Sequence, residues 1–263
     1  MPELPEVEAV CRELRRQVLG AEIVRSRVFR RSSVRPATPA LLARRTRGRT
    51  ITAVDRRGKN IFLHLSGGTV LRVHLRMTGD LRVVGDARLR PAATRVSFEL
   101  NDGRSLIFED PRALGVLDVL SLPEAATMMA ALGPEPLGEE FTAGSFVMSA
   151  QRSRKPAKLF LMDQSHVAGL GNIYAAEALF RARVHPARPM NRVFRSKLVA
   201  LHAAIVEVLR EAVEAVCEGA DDFPRQVYGR EDQPCFRCGA RIRRMPQGGR
   251  STYFCPHCQK GSA

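Results

Sequence analysis

Met1-Pro2-Glu3-Leu4-Pro5-Glu6-Val7-Glu8 opens the chain, and the rest of the sequence can be read outward from it. From Pro5 to Leu19 the apolar positions Val7, Val10, Cys11, Leu14 and Val18 recur at helical spacing, and Gly20 stops the pattern. Pro5 suits a first helical turn. The helix start offers backbone N–H groups and positive dipole character, which favour anions. If an aminopeptidase removes Met1, Pro2 becomes a free secondary amine with a reference pKa near ~8, so a useful fraction is unprotonated at neutral pH. Such an amine can attack an electrophilic sugar carbon and give a cationic iminium. Glu3 beside it is a carboxyl able to supply or take a proton. Pro-Glu alone serves equally well as a stiff lead into a helix, so the remaining residues must decide.

After the helix the period changes to two. Glu22–Phe29, Ile51–Val54, Ile61–Leu65, Val70–Leu75 and Leu81–Val84 alternate or run apolar, with Gly67-Gly68 marking a hairpin. Arg95–Leu100 and Ser105–Glu109 flank Asn101-Asp102-Gly103, a strong hairpin signal. Residues to about 122 therefore read as a β-rich domain, a two-layer sandwich opened by one helix. Residues 123–140 hold a short Ala/Met helix and then Leu132-Gly133-Pro134-Glu135-Pro136-Leu137-Gly138, whose Gly/Pro density marks a linker.

Beyond it, over 141–228, the pattern is helical: Lys158–Gln164, Ile173–Arg181 and Lys197–Glu218. Between the first two lies His166-Val167-Ala168-Gly169-Leu170-Gly171-Asn172, where the glycines permit tight turns and Asn172 is a good N-cap. Backbone amides and the Asn172 side chain there can meet a phosphate, although any helical hairpin would look similar.

The tail, 229–263, carries Cys235-Phe236-Arg237-Cys238, sixteen intervening residues, and Cys255-Pro256-His257-Cys258. Two knuckles at this spacing give tetrahedral thiolate ligation of one structural zinc. His257 sits within a knuckle, but four cysteines already close the shell. So short a module lacks a core of its own, and the metal must supply much of its folding energy. Arg241, Arg243, Arg244 and Arg250 charge the β-hairpin expected between the knuckles, which suits it to phosphates. Cys11 and Cys217 fall within apolar helical patterns as reduced thiols.

A net charge of +15 points to a polyanionic partner, nucleic acid before anionic membrane. The N-terminus has no apolar leader and no run spans a bilayer, so cytoplasmic residence is the expectation. Among 42 basic residues only five are lysine, and Lys59 is the only one before residue 155.

Taken in order, Pro2-Glu3 and Glu6, Arg57-Gly58-Lys59, His74-Leu75-Arg76-Met77-Thr78-Gly79, Asp110-Pro111-Arg112, Gly169–Tyr174, Gln226-Val227-Tyr228-Gly229-Arg230 and the zinc hairpin resemble the formamidopyrimidine-DNA glycosylase / endonuclease VIII family, closest to its bacterial formamidopyrimidine branch. The resemblance implies an α+β chain: a β-sandwich with a leading helix, a helix–two-turns–helix domain and a zinc-finger hairpin. It implies a monomeric glycosylase and abasic-site lyase of base excision repair, acting on double-stranded DNA with damaged bases or abasic sites. By that resemblance Pro2 is the nucleophile at the sugar C1′, Glu3 the acid/base and Glu6 a second, ordering carboxylate. Lys59 serves β-elimination and phosphate binding, because an ammonium exchanges a proton where a guanidinium scarcely can. His74, Lys158, Asn172 and Arg250 grip phosphates, with Arg250 also stabilising charge in the second elimination. Tyr228 and Arg95 are expected on the DNA, and Met77, Arg112 and Leu114 fill the hole left by the extruded base.

Three features depart from the formamidopyrimidine branch. Leu114 stands where phenylalanine is typical, Arg95 replaces a histidine-rich stretch, and the Glu218–Arg225 connection is far shorter than the loop that caps 8-oxoguanine. An endonuclease VIII-like enzyme for oxidised pyrimidines is therefore the alternative. A non-catalytic zinc-finger DNA-binding protein would share the charge and hairpin, but would not need Pro2, Glu3 and Lys59 together.

Overall fold

The computed structural model describes residues 2–86, 90–219 and 223–261. It comprises two compact units, one ending at Ala131 and one beginning at Leu132. Removal of Met1 and the centre of the 218–225 connection lie outside the described residues.

The first unit opens with α1 (Leu4–Val18), which buries Leu4, Val7, Cys11, Leu14 and Val18. The strands β1 (Glu22–Val28), β2 (Arg49–Arg57), β3 (Asn60–Leu65), β4 (Thr69–His74), β5 (Asp80–Val84), β6 (Thr94–Leu100), β7 (Ser105–Glu109) and β8 (Val116–Ser121) pair antiparallel in the order β5-β7-β6-β1-β2-β3-β4-β8. β1 and β2 share only a short register, Glu22 with Thr50 and Ile23 with Arg49. The sheet folds there into two four-stranded halves. Ile23, Val96, Phe98 and Phe108 from one half share a single core with Ile51, Ile61, Leu63, Leu71, Val73 and Leu117 from the other, and the apolar face of α1 joins it. The α+β class with a β-sandwich is thus observed.

Two elements of this unit escape a reading by period. The helix α2 (Pro39–Thr46) is capped by Thr38, whose side chain accepts from the Leu41 N–H, and is too short to show a clear repeat. β8 is nearly all buried because both its faces are covered. Leu117 and Val119 face the main core, while Leu120 packs with Phe62, Val70 and Ala125 under α3 (Leu122–Ala130).

The second unit carries α4 (Ala143–Gln151), α5 (Ala157–Met162), α6 (Asn172–Arg181) and α7 (Arg195–Cys217), then a hairpin of β9 (Arg243–Gln247) and β10 (Arg250–Phe254). α4, not foreseen, starts at Thr142, which accepts from the Ser145 N–H; its Gly and Ser content hides its helicity. No helix among the described residues is long and apolar enough to cross a membrane.

Candidate active site and zinc cluster

Glu3, 1% exposed, is the N-cap of α1 and forms a capping box with Glu6. The Glu3 N–H donates to Glu6 Oε2 at 2.7 Å, and the Glu3 side chain accepts from the Glu6 backbone. Two acidic groups are thereby held against the positive end of a helix dipole, directly behind Pro2.

Lys59 lies in the two-residue turn between β2 and β3, where Arg57 pairs with Asn60 and Gly58 takes a positive φ of 57°. It is 8% exposed. A network missed in the sequence connects this turn to α1. Arg56 Nε donates to Glu8 Oε2 at 3.0 Å and Arg56 Nη1 to the Gly58 carbonyl at 3.1 Å, while Arg12 and Arg15 reach Glu8 Oε1. Burial raises the Glu8 pKa, but the bonds and charge of Arg56, with Arg12 and Arg15, win and hold the carboxyl below its ordinary value. The Glu8–Arg12 spacing was the available signal.

His74 closes β4 beside this turn. Burial, then the charges of Arg76, Arg72 and Lys59, push its pKa from 6.5 down to about 4. At neutral pH the ring is uncharged; Nδ1 accepts the Arg76 N–H at 3.1 Å, which leaves the proton on Nε2. The ring thus carries a neutral Nε2–H donor in the DNA-free protein.

Met77 and Leu114 are 42% and 39% exposed, and Arg112 is exposed between them in sequence. Their two loops are knotted together by Asp110, which is fully buried. Its carboxylate accepts from Thr78 Oγ1 at 2.5 Å, the Arg112 N–H at 3.2 Å and the Gly115 N–H at 2.6 Å. Burial works against its ionisation, but these donors prevail and lower its pKa. Arg76 and Ala113 adopt left-handed φ values of 59° and 51°, so both loop tips are held in conformations that cost energy. Arg95 Nε donates to the Asp110 carbonyl at 2.7 Å and Nη2 to the Pro111 carbonyl at 3.1 Å.

In the second unit one expectation is corrected. Gly171, not Asn172, is the N-cap of α6, and the Asn172 amide instead donates to the Ser251 carbonyl at 3.1 Å and to Tyr228 Oη at 3.4 Å. An N-cap carbonyl oxygen accepts; here the amide N–H donors are used to hold β10, and Asn172 Oδ1 is buried without a hydrogen-bond partner. Lys158 is fully buried, and its ammonium donates to Thr252 Oγ1 at 2.6 Å and the Ser251 carbonyl at 3.1 Å. Both side chains grip the backbone of β10, next to Arg250, which is exposed. Tyr228 meets Tyr253 of the same strand edge to face at 5.2 Å between ring centres. Glu177 fastens the segment bearing Tyr228: its buried carboxylate accepts from the Gln226, Val227 and Tyr228 N–H groups at 2.9, 3.0 and 2.8 Å. Nothing in the local sequence distinguishes that glutamate from a solvated one.

The four Sγ atoms of Cys235, Cys238, Cys255 and Cys258 lie within 4.8 Å of one another. Cys238 and Cys255 are 3.5 Å apart and Cys235 and Cys258 4.0 Å. Tetrahedral zinc with Zn–S of about 2.3 Å requires edges near ~3.8 Å. The Ala240 N–H chiefly draws the Cys238 thiol down to about 6, while burial and the neighbouring sulfurs push Cys258 up to about 12. Four thiolates this close need a cation among them, and the set fits one structural zinc.

Residues 1–117 match the formamidopyrimidine-DNA glycosylase N-terminal domain, 132–223 that protein's H2TH domain and 232–261 the zinc finger found in FPG and IleRS. The formamidopyrimidine-DNA glycosylase of Syntrophotalea carbinolica is 41% identical, and that of Ruegeria pomeroyi 39%; each alignment covers 99% of this chain and 100% of the relative. The crystal structure of the Lactococcus lactis enzyme bound non-covalently to DNA containing an abasic site superposes with a TM-score of 0.93 at 34% identity, over 98% of this chain and 100% of that one. MutM in complex with DNA containing carbocyclic 8-oxo-G also gives 0.93, at 33% identity over 99% and 100%. The three matched domains follow one another along the chain and the relatives align over nearly all of it, so the chain belongs to the formamidopyrimidine-DNA glycosylase family, base-excision-repair DNA glycosylases with abasic-site lyase activity.

Proposed function

We propose that this chain removes oxidised bases from double-stranded DNA through a covalent intermediate on Pro2. The observation that carries this is the arrangement at the head of α1, where Pro2 precedes a buried carboxylate fixed by the helix cap. Once Met1 is removed, the Pro2 nitrogen bonds to C1′ of the damaged nucleotide. The C1′–N bond to the base breaks, and the base departs with a proton supplied from the Glu3 side. Loss of the amine proton and opening of the sugar leave an iminium between Pro2 and C1′. Removal of a C2′ proton then expels the 3′ phosphate, and a second elimination expels the 5′ phosphate. Lys59, in the basic corner with His74, handles the proton and the phosphate; Glu6 orders Glu3.

Arg250 stabilises charge in the second elimination, since a guanidinium holds its own proton too firmly to donate it. Lys158, Asn172 and Tyr228 serve that step from behind, by holding β10. Met77, Arg112 and Leu114 occupy the space of the extruded nucleotide, and Arg112 has the donors to contact a cytosine opposite. The relatives' complexes with DNA containing an abasic site or Fapy-dG support this substrate class. A duplex substrate places the work on the nucleoid in the cytoplasm, with the protein acting as a monomer.

Borohydride reduction tests the assignment. It should freeze a protein–DNA adduct on abasic duplexes in the wild type. Pro2→Gly should keep DNA binding and lose most trapping, and Lys59→Ala should depress strand cleavage. Full trapping by protein that retains Met1 would refute Pro2 as nucleophile.

A further inference from the structure

Arg95 lies at a β-bulge. Thr94 pairs with Glu109 and Val96 with Phe108, so Arg95 has no cross-strand partner of its own on β7. A bulge re-aims the side chain at the extra residue. Here it aims the guanidinium along β7 to the two residues that follow it, with Nε on the Asp110 carbonyl at 2.7 Å and Nη2 on the Pro111 carbonyl at 3.1 Å. The same root is tied to the residues around Arg95 by the Asp110 N–H, which donates to the Ala93 carbonyl at 3.0 Å. The Asp110 carbonyl also accepts the Ala113 N–H at 3.0 Å, closing the turn from which Arg112 and Leu114 project.

We propose that Arg95 is a positioning residue that sets the aim of Arg112, and so governs discrimination of the base opposite the lesion. It does this without neutralising a phosphate itself. A planar fork that binds two successive carbonyls fixes the direction of a loop as well as its distance, which a lysine ammonium does not. The rigidity matters because Ala113, between Arg112 and Leu114, sits in the left-handed region and the turn would relax if its root were released.

This rests on the reading that Arg112 contacts the opposite base, and the experiment separates the two. Single-turnover excision of a formamidopyrimidine opposite cytosine and opposite adenine is measured for wild type, Arg95→Lys, Arg95→Gln and Arg112→Ala. Each protein is first shown to trap on an abasic duplex. The cytosine-over-adenine ratio is expected to fall at least about fivefold in both Arg95 variants, part of what a well-placed bidentate base contact is worth. The salt dependence of duplex binding should be the same in Arg95→Gln as in wild type, whereas loss of a direct phosphate contact would flatten the log–log slope by about 0.9. A ratio preserved in Arg95→Lys, or a flattened slope in Arg95→Gln, overturns the proposal. Indifference of the wild type to the opposite base sinks the Arg112 reading and this proposal together. Loss in Arg112→Ala with retention in both Arg95 variants sinks only the proposal.

Discussion

At the scale of single residues, burial decides what a charged side chain can do, and burial is what a linear sequence shows least. Lys59 stood out by rarity, and Pro2 and Glu3 by position, because their chemistry depends on residue type. Lys158 and Asn172 stood out by motif, yet their donors turn inward to β10, a partner nearly a hundred residues away in sequence for Lys158. His74 shows the same limit in part: its neutrality comes first from desolvation and then from Arg76, Arg72 and Lys59, and of these only the two flanking arginines can be read from its own stretch. A titration follows from it. The folded pKa is near 4 against an ordinary 6.5, so between these values the unfolded chain takes up a proton that the folded one refuses. The stability contributed by neutral His74 is present above about 6.5 and is lost as pH falls towards 4. Thermal denaturation should show wild type losing stability more steeply than His74→Gln over that window. Parallel pH profiles would mean that the ring titrates normally in the fold.

Elements were legible where one periodicity ran long enough. The helix α1 shows its buried stripe, and β6 alternates from Thr94 to Leu100 with one face inward. β8 and the short helices α2 and α4 were hidden, since an element covered on both faces has no period and a helix of two turns has little. What starts α4 is its cap, so Thr142→Ala should cost about 1 kcal/mol of stability in chemical denaturation. An unchanged midpoint would show that the Ser145 N–H finds water as easily. The zinc hairpin is the opposite case, an element whose spacing alone announced its ligand. Metal analysis should find one zinc per chain. Cys238→Ser should release it and weaken DNA binding through disorder around Arg250, while the first unit keeps its thermal transition. Folded, active protein without zinc would contradict this.

For the molecule as a whole, charge and the ordered set of motifs made the class of partner and the chemistry readable, whereas lesion choice depends on pocket walls that no motif spells out. The formal charge of +15 holds any duplex, damaged or not, so selectivity must arise after the nucleotide is extruded. Two features bear on it. Only eight residues, Glu218 to Arg225, separate Cys217 from Gln226, and Leu114, which we propose fills part of the space left by the extruded base, is aliphatic and not a flat aromatic. A short connection has little backbone to offer a flipped purine. One missing hydrogen bond to a buried polar edge costs on the order of 1–3 kcal/mol. If the loss is felt in the transition state, 8-oxoguanine removal slows by roughly one to two decades. Formamidopyrimidines and hydantoins, with weaker glycosidic bonds or distorted stacking, ask less of the pocket and should suffer less. Under single-turnover conditions, excision of either should exceed that of 8-oxoguanine, each placed opposite cytosine. Lengthening the 218–225 connection with residues from a long-loop relative should then raise the 8-oxoguanine rate selectively. Equal or faster 8-oxoguanine excision by the wild type would show that the length of this connection is not what selects the lesion.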